Sequence, residues 1–122
     1  MAATMHNDDG FLELLRELLE PLGTITVRRM FGGHGVYCDG VFIAIVVAGA
    51  LYLKVDELTQ PAFVAAGCEP FVYANKGKAI AMSYWNVPEA ALDSADSMRP
   101  WAQRAIAAAL RKPTVKTSRR RR

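Results

Sequence analysis

Residues 24–47, TITVRRMFGGHGVYCDGVFIAIVV, decide the fold of this chain. Apolar and polar residues alternate over Thr24–Met30, which predicts a half-buried strand. The glycines within Phe31–Gly35 predict a flexible corner that leads into a second strand at Val36–Cys38. Asp39-Gly40 is typical of a two-residue hairpin turn. This stretch therefore predicts consecutive antiparallel strands.

The sheet continues beyond this stretch. Val41–Val47 is apolar at every position, which predicts a central strand covered on each side or by a second copy of the chain. A turn at Gly49-Ala50 follows, and a further turn is predicted at Asn75-Lys-Gly77. The remaining patterns predict three more strands, at Leu51–Val55, Phe71–Tyr73 and Lys78–Trp85.

Helical spacing of apolar residues predicts three helices, at Phe11–Leu22, Asp56–Ala66 and about Met98–Arg111. Asn7 or Asp8 is the expected N-cap of the first helix. Ser97 is the expected N-cap of the third, because it places Pro100 in the first turn, where a missing N–H is harmless. The order helix, four strands, helix, two strands, helix predicts a two-layer α+β domain with helices packed on an antiparallel sheet.

The composition is that of one globular domain with a strongly charged end. The 122 residues are 52% hydrophobic and 22% charged. We therefore expect a single domain at residues 1–112 and a disordered basic tail at 113–122. Seven cations and no acid lie at the C-terminal end of the chain: Arg111, Lys112, Lys116, Arg119, Arg120, Arg121 and Arg122.

The remaining 110 residues hold eight cations against twelve acids, so the body of the protein carries a net charge of −4. A flexible cationic tail attracts any polyanion without reading its sequence. The tail therefore predicts a weak contact with DNA, and a terminus that only aids solubility is the alternative interpretation.

Several classes of protein are excluded by the sequence. Met1–Gly10 lacks a cationic region followed by an apolar run, so we expect no secretory signal. The longest apolar stretch without charge, Val41–Leu53, has 13 residues, fewer than the ~20 that span a bilayer. Cys38 and Cys68 are too few for a disulfide framework. We therefore expect a cytoplasmic protein that makes no membrane contact.

The glycine-rich segment between Arg28 and Tyr37 is the most unusual local sequence. Successive N–H groups there can form an anion-binding nest, with Arg28 or Arg29 supplying charge. The alternative is a tight corner that needs glycine for steric reasons, with arginines on a solvated edge. His34 and Cys38 share one face of a strand, but two ligands do not make a metal site. The sequence predicts no catalytic residue, cofactor or metal.

A second group of residues places cations and aromatic rings together around the predicted turn at 75–77. These residues are Tyr73, Lys76, Lys78, Tyr84 and Trp85. Such a hairpin can stack on nucleic-acid bases or bind a partner peptide at a sheet edge. The alternative is that the rings are half-buried sheet residues with polar tips.

The chain resembles the N-terminal domain of the TfoX/Sxy competence-regulator family over about residues 11–110. The resemblance rests on Arg29–Tyr37, Leu51–Glu57, Pro70–Tyr73, Lys76–Lys78, Met82–Trp85, Val87–Glu89 and Trp101-Ala102. It implies a bacterial protein with a secretion-chaperone-like two-layer fold. It implies no established catalytic residues, because the family supplies none.

The leading hypothesis is a cytoplasmic, non-enzymatic regulatory or adaptor domain that acts by protein–protein contact, with the transcription machinery as a candidate partner and Val41–Val47 as a candidate homodimer contact. A small anionic-ligand or enzymatic site at Arg28, Arg29 and His34 is one alternative. Nucleic-acid binding through the tail is another. The candidate binding surface comprises Arg28, Arg29, Phe31, Gly32, Gly33, His34, Gly35, Tyr73, Lys76, Lys78, Tyr84 and Trp85.

Overall fold

The computed structural model describes residues 3–30, 32–75 and 78–111, with side chains described for all of these except residues 3–9 and 73–82. The helices are α1 (Ala3–Leu19), α2 (Gln60–Ala65) and α3 (Ala95–Leu110), with 3₁₀ turns at Glu20–Leu22 and Glu89–Leu92. The strands are β1 (Ile25–Met30), β2 (Gly33–Cys38), β3 (Val41–Val47), β4 (Ala50–Lys54), β5 (Pro70–Asn75) and β6 (Lys78–Asn86). They form one sheet in the order β1-β2-β3-β4-β6-β5, with every neighbouring pair antiparallel. The predicted two-layer α+β fold is confirmed.

Two tight turns build the first four strands into a meander. Asp39 and Gly40 both have positive φ, at 51° and 83°. Ala48 and Gly49 repeat this geometry, at 51° and 76°. Two residues with positive φ match the twist of the flanking strands, which suits a hairpin. The second turn lies one residue earlier than predicted, because Val47 pairs with Ala50 and leaves Ala48-Gly49 as the loop.

The predicted glycine corner is shorter than expected, because β2 begins at Gly33 rather than at Val36. Gly32 alone among the corner glycines has a positive φ, 77°. Gly33 and Gly35 instead permit close packing. A Cβ at Gly33 would overlap the carbonyl oxygen of Val46, and one at Gly35 would lie 2.7 Å from Met30 Cε. These two glycines therefore belong to the strand and not to a flexible loop.

The core lies between one face of the sheet and the helices. Leu15 and Leu19 of α1 and Met98 of α3 are almost completely buried there. Phe63 of α2 is also buried and meets the Trp101 ring edge-on at a centroid distance of 5.0 Å. The buried positions of α3 are otherwise alanines, at 102, 105 and 108, so the helix approaches the sheet closely. No helix in the described part of the chain combines the length and apolar character needed to cross a membrane.

Two of the predicted N-caps are wrong. α1 begins at Ala3, so Asn7 and Asp8 lie inside the helix, where both residue types are tolerated at modest cost. Ser94 caps α3, because its side chain accepts a hydrogen bond of 3.1 Å from the Ser97 N–H. Ser97 is thus within the first turn. Pro100 consequently lies beyond that turn, inside the helix.

α2 begins later than predicted because the residues before it form a side-chain-capped turn. The Asp56 carboxylate accepts the N–H groups of Leu58 and Thr59, both at 3.1 Å. The Thr59 hydroxyl accepts the Asp56 N–H at 3.0 Å in return. Such local bonds compete with the helix for the same backbone groups. The helix therefore begins only at Gln60.

Candidate functional site

The sheet has a second face on which no helix of the described residues packs, and we call it the open face. The helices cover the opposite face, which carries Val36, Val46 and Leu53. Because side chains alternate along a strand, the intervening positions point to the open face. Its larger side chains are Arg28, Met30, Tyr37, Phe42, Ile45, Tyr52, Lys54, Phe71 and Tyr84.

Three aromatic side chains form a continuous row across the open face, and we call Tyr37, Phe42 and Tyr84 the aromatic row. The rings of Tyr37 and Phe42 are stacked, with centroids 5.0 Å apart and an interplanar angle of 26°. Phe42 and Tyr84 are 5.9 Å apart and tilted by 47°. All three residues are only partly buried. Burial, and secondarily Tyr37, raises the pKa of the Tyr84 phenol.

A second aromatic pair continues the apolar surface towards the far edge of the sheet. The rings of Tyr52 on β4 and Phe71 on β5 lie 5.0 Å apart, tilted by 58°. Ile45 is opposite Tyr52 in the register of β3 and β4. The open face therefore combines five aromatic rings with aliphatic side chains, and none of them is fully buried.

The charges on the open face are all positive. The Arg28 guanidinium carbon lies 5.8 Å from the centre of the Tyr37 ring. Lys54 Nζ lies 5.2 Å from the centre of the Tyr84 ring. Such cation–π contacts hold each charge against the ring surface. The six strands contain no aspartate or glutamate at any position.

The glycines of β2 shape this face. Gly35 lies between the side chains of Met30 and Phe42, which occupy the space that a Cβ at this position would need. The β-bulge between Val36 and Tyr37 shifts the register of β2 against β3. Bulges re-aim side chains, and here Tyr37 pairs directly with Phe42. The glycine-rich sequence thus allows aromatic and aliphatic groups to cover β2.

The predicted corner residues do not converge on one site. Arg28 lies on the open face, whereas Arg29 pairs with His34 at positions that alternate to the other face. Within the described residues, His34 Nδ1 is buried and has no hydrogen-bond partner. Gly32 is an exposed turn residue, and Phe31 lies outside the described residues. The structure therefore does not gather Arg28, Arg29 and His34 around one ligand.

The predicted hairpin residues are also separated. Tyr84 belongs to the open face, but Trp85 lies on the helix side and packs against the core. For Tyr73 and Lys78 only the backbone is described, and Lys76 lies outside the described residues. The antiparallel order places the end of β5 and the start of β6 at the opposite end of the sheet from the Gly32 turn. The glycine corner and the hairpin tip are thus not adjacent.

Neither cysteine is suited to nucleophilic chemistry. Cys38 and Cys68 are free and buried. Burial raises the pKa of the Cys38 thiol, and the charge of Asp39 raises it further. Burial likewise raises the pKa of Cys68. Within the described residues, no group of three or more His, Cys, Asp or Glu side chains could hold a metal ion.

The first cation of the predicted tail is part of the folded domain. Arg111 Nε lies 2.7 Å from Asp56 Oδ2, and Arg111 Nη2 lies 2.9 Å from Asp56 Oδ1. This bidentate ion pair lowers the pKa of Asp56 to about 2. The other six tail cations, Lys112, Lys116, Arg119, Arg120, Arg121 and Arg122, lie outside the described residues.

Most of the open face was not predicted from the sequence. Tyr37, Phe42, Tyr52, Lys54 and Phe71 were absent from the predicted surface, although Arg28 and Tyr84 were included. One sequence feature does point to this face. Tyr52 and Lys54 alternate with the buried Leu51 and Leu53, so they share the side of β4 opposite the core.

Comparison with known proteins gives a consistent result. A family model described as the TfoX N-terminal domain matches residues 17–109. The chain is 27% identical over 84 residues to DNA transformation protein TfoX1 of Aliivibrio fischeri, covering 69% of this chain and 38% of that protein. It is 26% identical over 106 residues to Protein Sxy of Escherichia coli, covering 87% of this chain and 51% of that protein. The chain thus spans about half or less of the length of these relatives.

Proposed function

Because the chain belongs to the TfoX N-terminal domain family, we propose that it is a non-enzymatic regulatory domain that acts by protein–protein contact through the open face of its sheet. One observation carries this proposal. Five partly buried aromatic rings lie on a sheet face that no described helix covers. Tyrosine, phenylalanine, methionine and arginine are enriched in protein interfaces.

The ring arrangement favours a protein partner over single-stranded nucleic acid. Bases stack on exposed ring faces. On the open face, one side of Tyr37 stacks on Phe42 and Arg28 lies over the same ring. Lys54 lies over the Tyr84 ring. The groups presented to a partner are therefore mainly ring edges, hydroxyls and cationic tips, which suit apolar and acidic protein side chains.

The regulatory part of the proposal comes from relatives. One relative bears the name DNA transformation protein. We place the contact in the bacterial cytoplasm and in the control of transcription. Variants of the open face should therefore alter transcript levels in the host while leaving the amount of folded protein unchanged.

Site-specific photo-crosslinking tests the surface. A benzoylphenylalanine at Thr26, an exposed position on the open face beside Tyr37, should trap a protein in the native host. The double variant Phe42→Ala/Tyr84→Ala should abolish that adduct. The same crosslinker at Gln103, exposed on α3, serves as the matched control and should not trap it. Equal trapping from both positions would contradict the assignment of the open face.

A further inference from the structure

Building on the proposed function, we infer that the open face binds an acidic, extended segment of a partner protein, whose carboxylates contact Arg28 and Lys54 while its apolar side chains pack on the aromatic row. This inference names the partner chemistry of that surface. It rests on the charges of the sheet, on the geometry of the two cations, and on the residues that lie between them.

The two layers of the domain carry charge of opposite sign. The strands carry no acid, and two of their cations, Arg28 and Lys54, lie on the open face. The helix layer carries the opposite excess, since its described side chains include five acids, Glu13, Glu17, Glu20, Glu89 and Asp96, against three cations, Arg16, Arg99 and Arg104. Positive charge therefore lies on the sheet and negative charge on the helix layer, although the body of the protein has a net negative charge. Complementary potential steers partners and fixes their orientation, so an acidic segment is directed to the sheet.

The two cations are available to a partner. Within the described residues the ion pairs are Arg99–Asp96 and Arg111–Asp56, and neither involves Arg28 or Lys54. Each of these two cations lies over a ring instead. A guanidinium or ammonium on an aromatic surface keeps its N–H donors free for a carboxylate. Arg28 and Lys54 can therefore each donate hydrogen bonds to a carboxylate of the partner.

The spacing of the cations limits the segment. Arg28 on β1 and Lys54 on β4 are three strand positions apart in the sheet order. Strands lie about 4.8 Å apart, and Lys54 is two residues along β4 from Tyr52, the residue in register with Arg28. The two Cα atoms are therefore separated by roughly 16 Å. An extended chain advances about 3.3 Å per residue. Two acidic residues four or five positions apart would therefore reach both cations, with apolar residues between them over Tyr37 and Phe42.

The same charges disfavour a second copy of the chain as the occupant. Face-to-face pairing of two open faces would bring Arg28 and Lys54 of both copies into one interface without any strand carboxylate to neutralise them. Desolvated like charges oppose association. The basic C-terminal tail is disfavoured as the occupant as well, because its positive charge would be repelled by the cations of the open face.

The test is a selection of 12-residue peptides from a random display library on the intact chain, followed by affinity measurements with the enriched peptides. The expected peptides carry two acids four or five residues apart with apolar or aromatic residues between them. Arg28→Glu/Lys54→Glu should weaken their binding by at least about tenfold, and added salt should weaken it as well. Arg99→Glu/Arg104→Glu makes the same change in net charge on α3 and should change the affinity less than about twofold.

The other outcomes separate the inference from the proposed function. Peptides without acidic enrichment that still require Phe42 and Tyr84 would overturn the acidic partner but leave the docking face intact. Peptides that ignore Phe42→Ala/Tyr84→Ala, or no enrichment, would overturn both. Binding of a single-stranded oligothymidine that depends on Phe42 would show that the open face binds nucleic acid instead of a protein segment. A dimer seen by light scattering that depends on Phe42 would show that a second copy of the chain is the occupant. Circular dichroism of each variant verifies that its fold is retained.

Discussion

Arg111 and Asp56 form a bidentate ion pair between residues 55 positions apart, with N–O distances of 2.7 and 2.9 Å. Arg111 directly follows α3, and Asp56 begins the turn that precedes α2. The ion pair therefore connects the end of the last helix with the loop between β4 and α2. The same carboxylate caps that turn by accepting the N–H groups of Leu58 and Thr59. One side chain thus organises two connections of the helix layer.

The first prediction concerns acid stability. The ordinary pKa of Asp56 is 3.8, and the Arg111 hydrogen bond lowers it to about 2 in the folded protein. Because the folded pKa is below the unfolded value, the contribution to stability is present above about pH 4 and is lost as the pH falls through about 2. Asp56→Asn should lower the Tm at pH 7 by about 2 to 4 °C. Its deficit relative to wild type should shrink towards pH 2. A deficit independent of pH would assign the effect to the turn and not to the ion pair.

The second prediction separates the roles of the three corner glycines. Gly33→Ala should be the most destabilising substitution, by about 3 kcal/mol, because the new methyl group meets the backbone of Val46. Gly35→Ala should cost about 1 kcal/mol, since it meets the mobile end of Met30. Gly32→Ala should also cost about 1 kcal/mol, through its φ of 77°.

Urea denaturation of these three variants provides the measurement. If the glycines formed an anion-binding nest, phosphate or sulfate would stabilise the wild type, and this stabilisation would be absent in Gly32→Ala. The steric explanation predicts the same ranking of the three variants with and without anions. A ranking that reverses in phosphate would therefore restore the ligand hypothesis.

Local sequence patterns predicted the strands better than the surfaces. The alternation in Thr24–Met30 and the turn at Asp39-Gly40 depend on neighbouring residues alone, and both appear in the structure. The N-cap of α3 was misplaced because Ser94 and Ser97 are equally good local candidates. Only the observed hydrogen bond between them decides which one caps the helix.

The open face was harder to predict, because a sheet's exposed side depends on where the helices pack. The sequence shows Tyr52 and Lys54 alternating with leucines, but not that β4 lies between β3 and β6. The contact between Phe42 and Tyr84 depends on that long-range order. Likewise, Arg28 and Arg29 looked equivalent in sequence, whereas alternation along β1 places them on opposite faces.

The third prediction concerns cysteine reactivity. Burial raises the pKa of both thiols, and only the thiolate reacts rapidly. At pH 8 a disulfide reagent should label folded Cys38 and Cys68 at least about tenfold more slowly than in urea. The control is His34→Ala, because His34 lies on the same face of β2 as Cys38. Four strand residues place His34 about 13 Å from Cys38, so the variant should leave the slow rate unchanged. Labelling of folded Cys38 as fast as in urea would contradict its burial.

The fourth prediction concerns DNA binding by the C-terminal tail. Arg111 is already paired with Asp56, so six of the seven cations remain to contact phosphates. Duplex DNA should therefore bind with a slope of log affinity against log salt no steeper than about −5. A chain that ends at Arg111 keeps the ion pair and should lose most of that affinity. Arg28→Glu/Lys54→Glu should have little effect on it if the tail acts alone. Retained binding in the truncated chain, together with loss in the sheet variant, would instead assign the DNA contact to the open face.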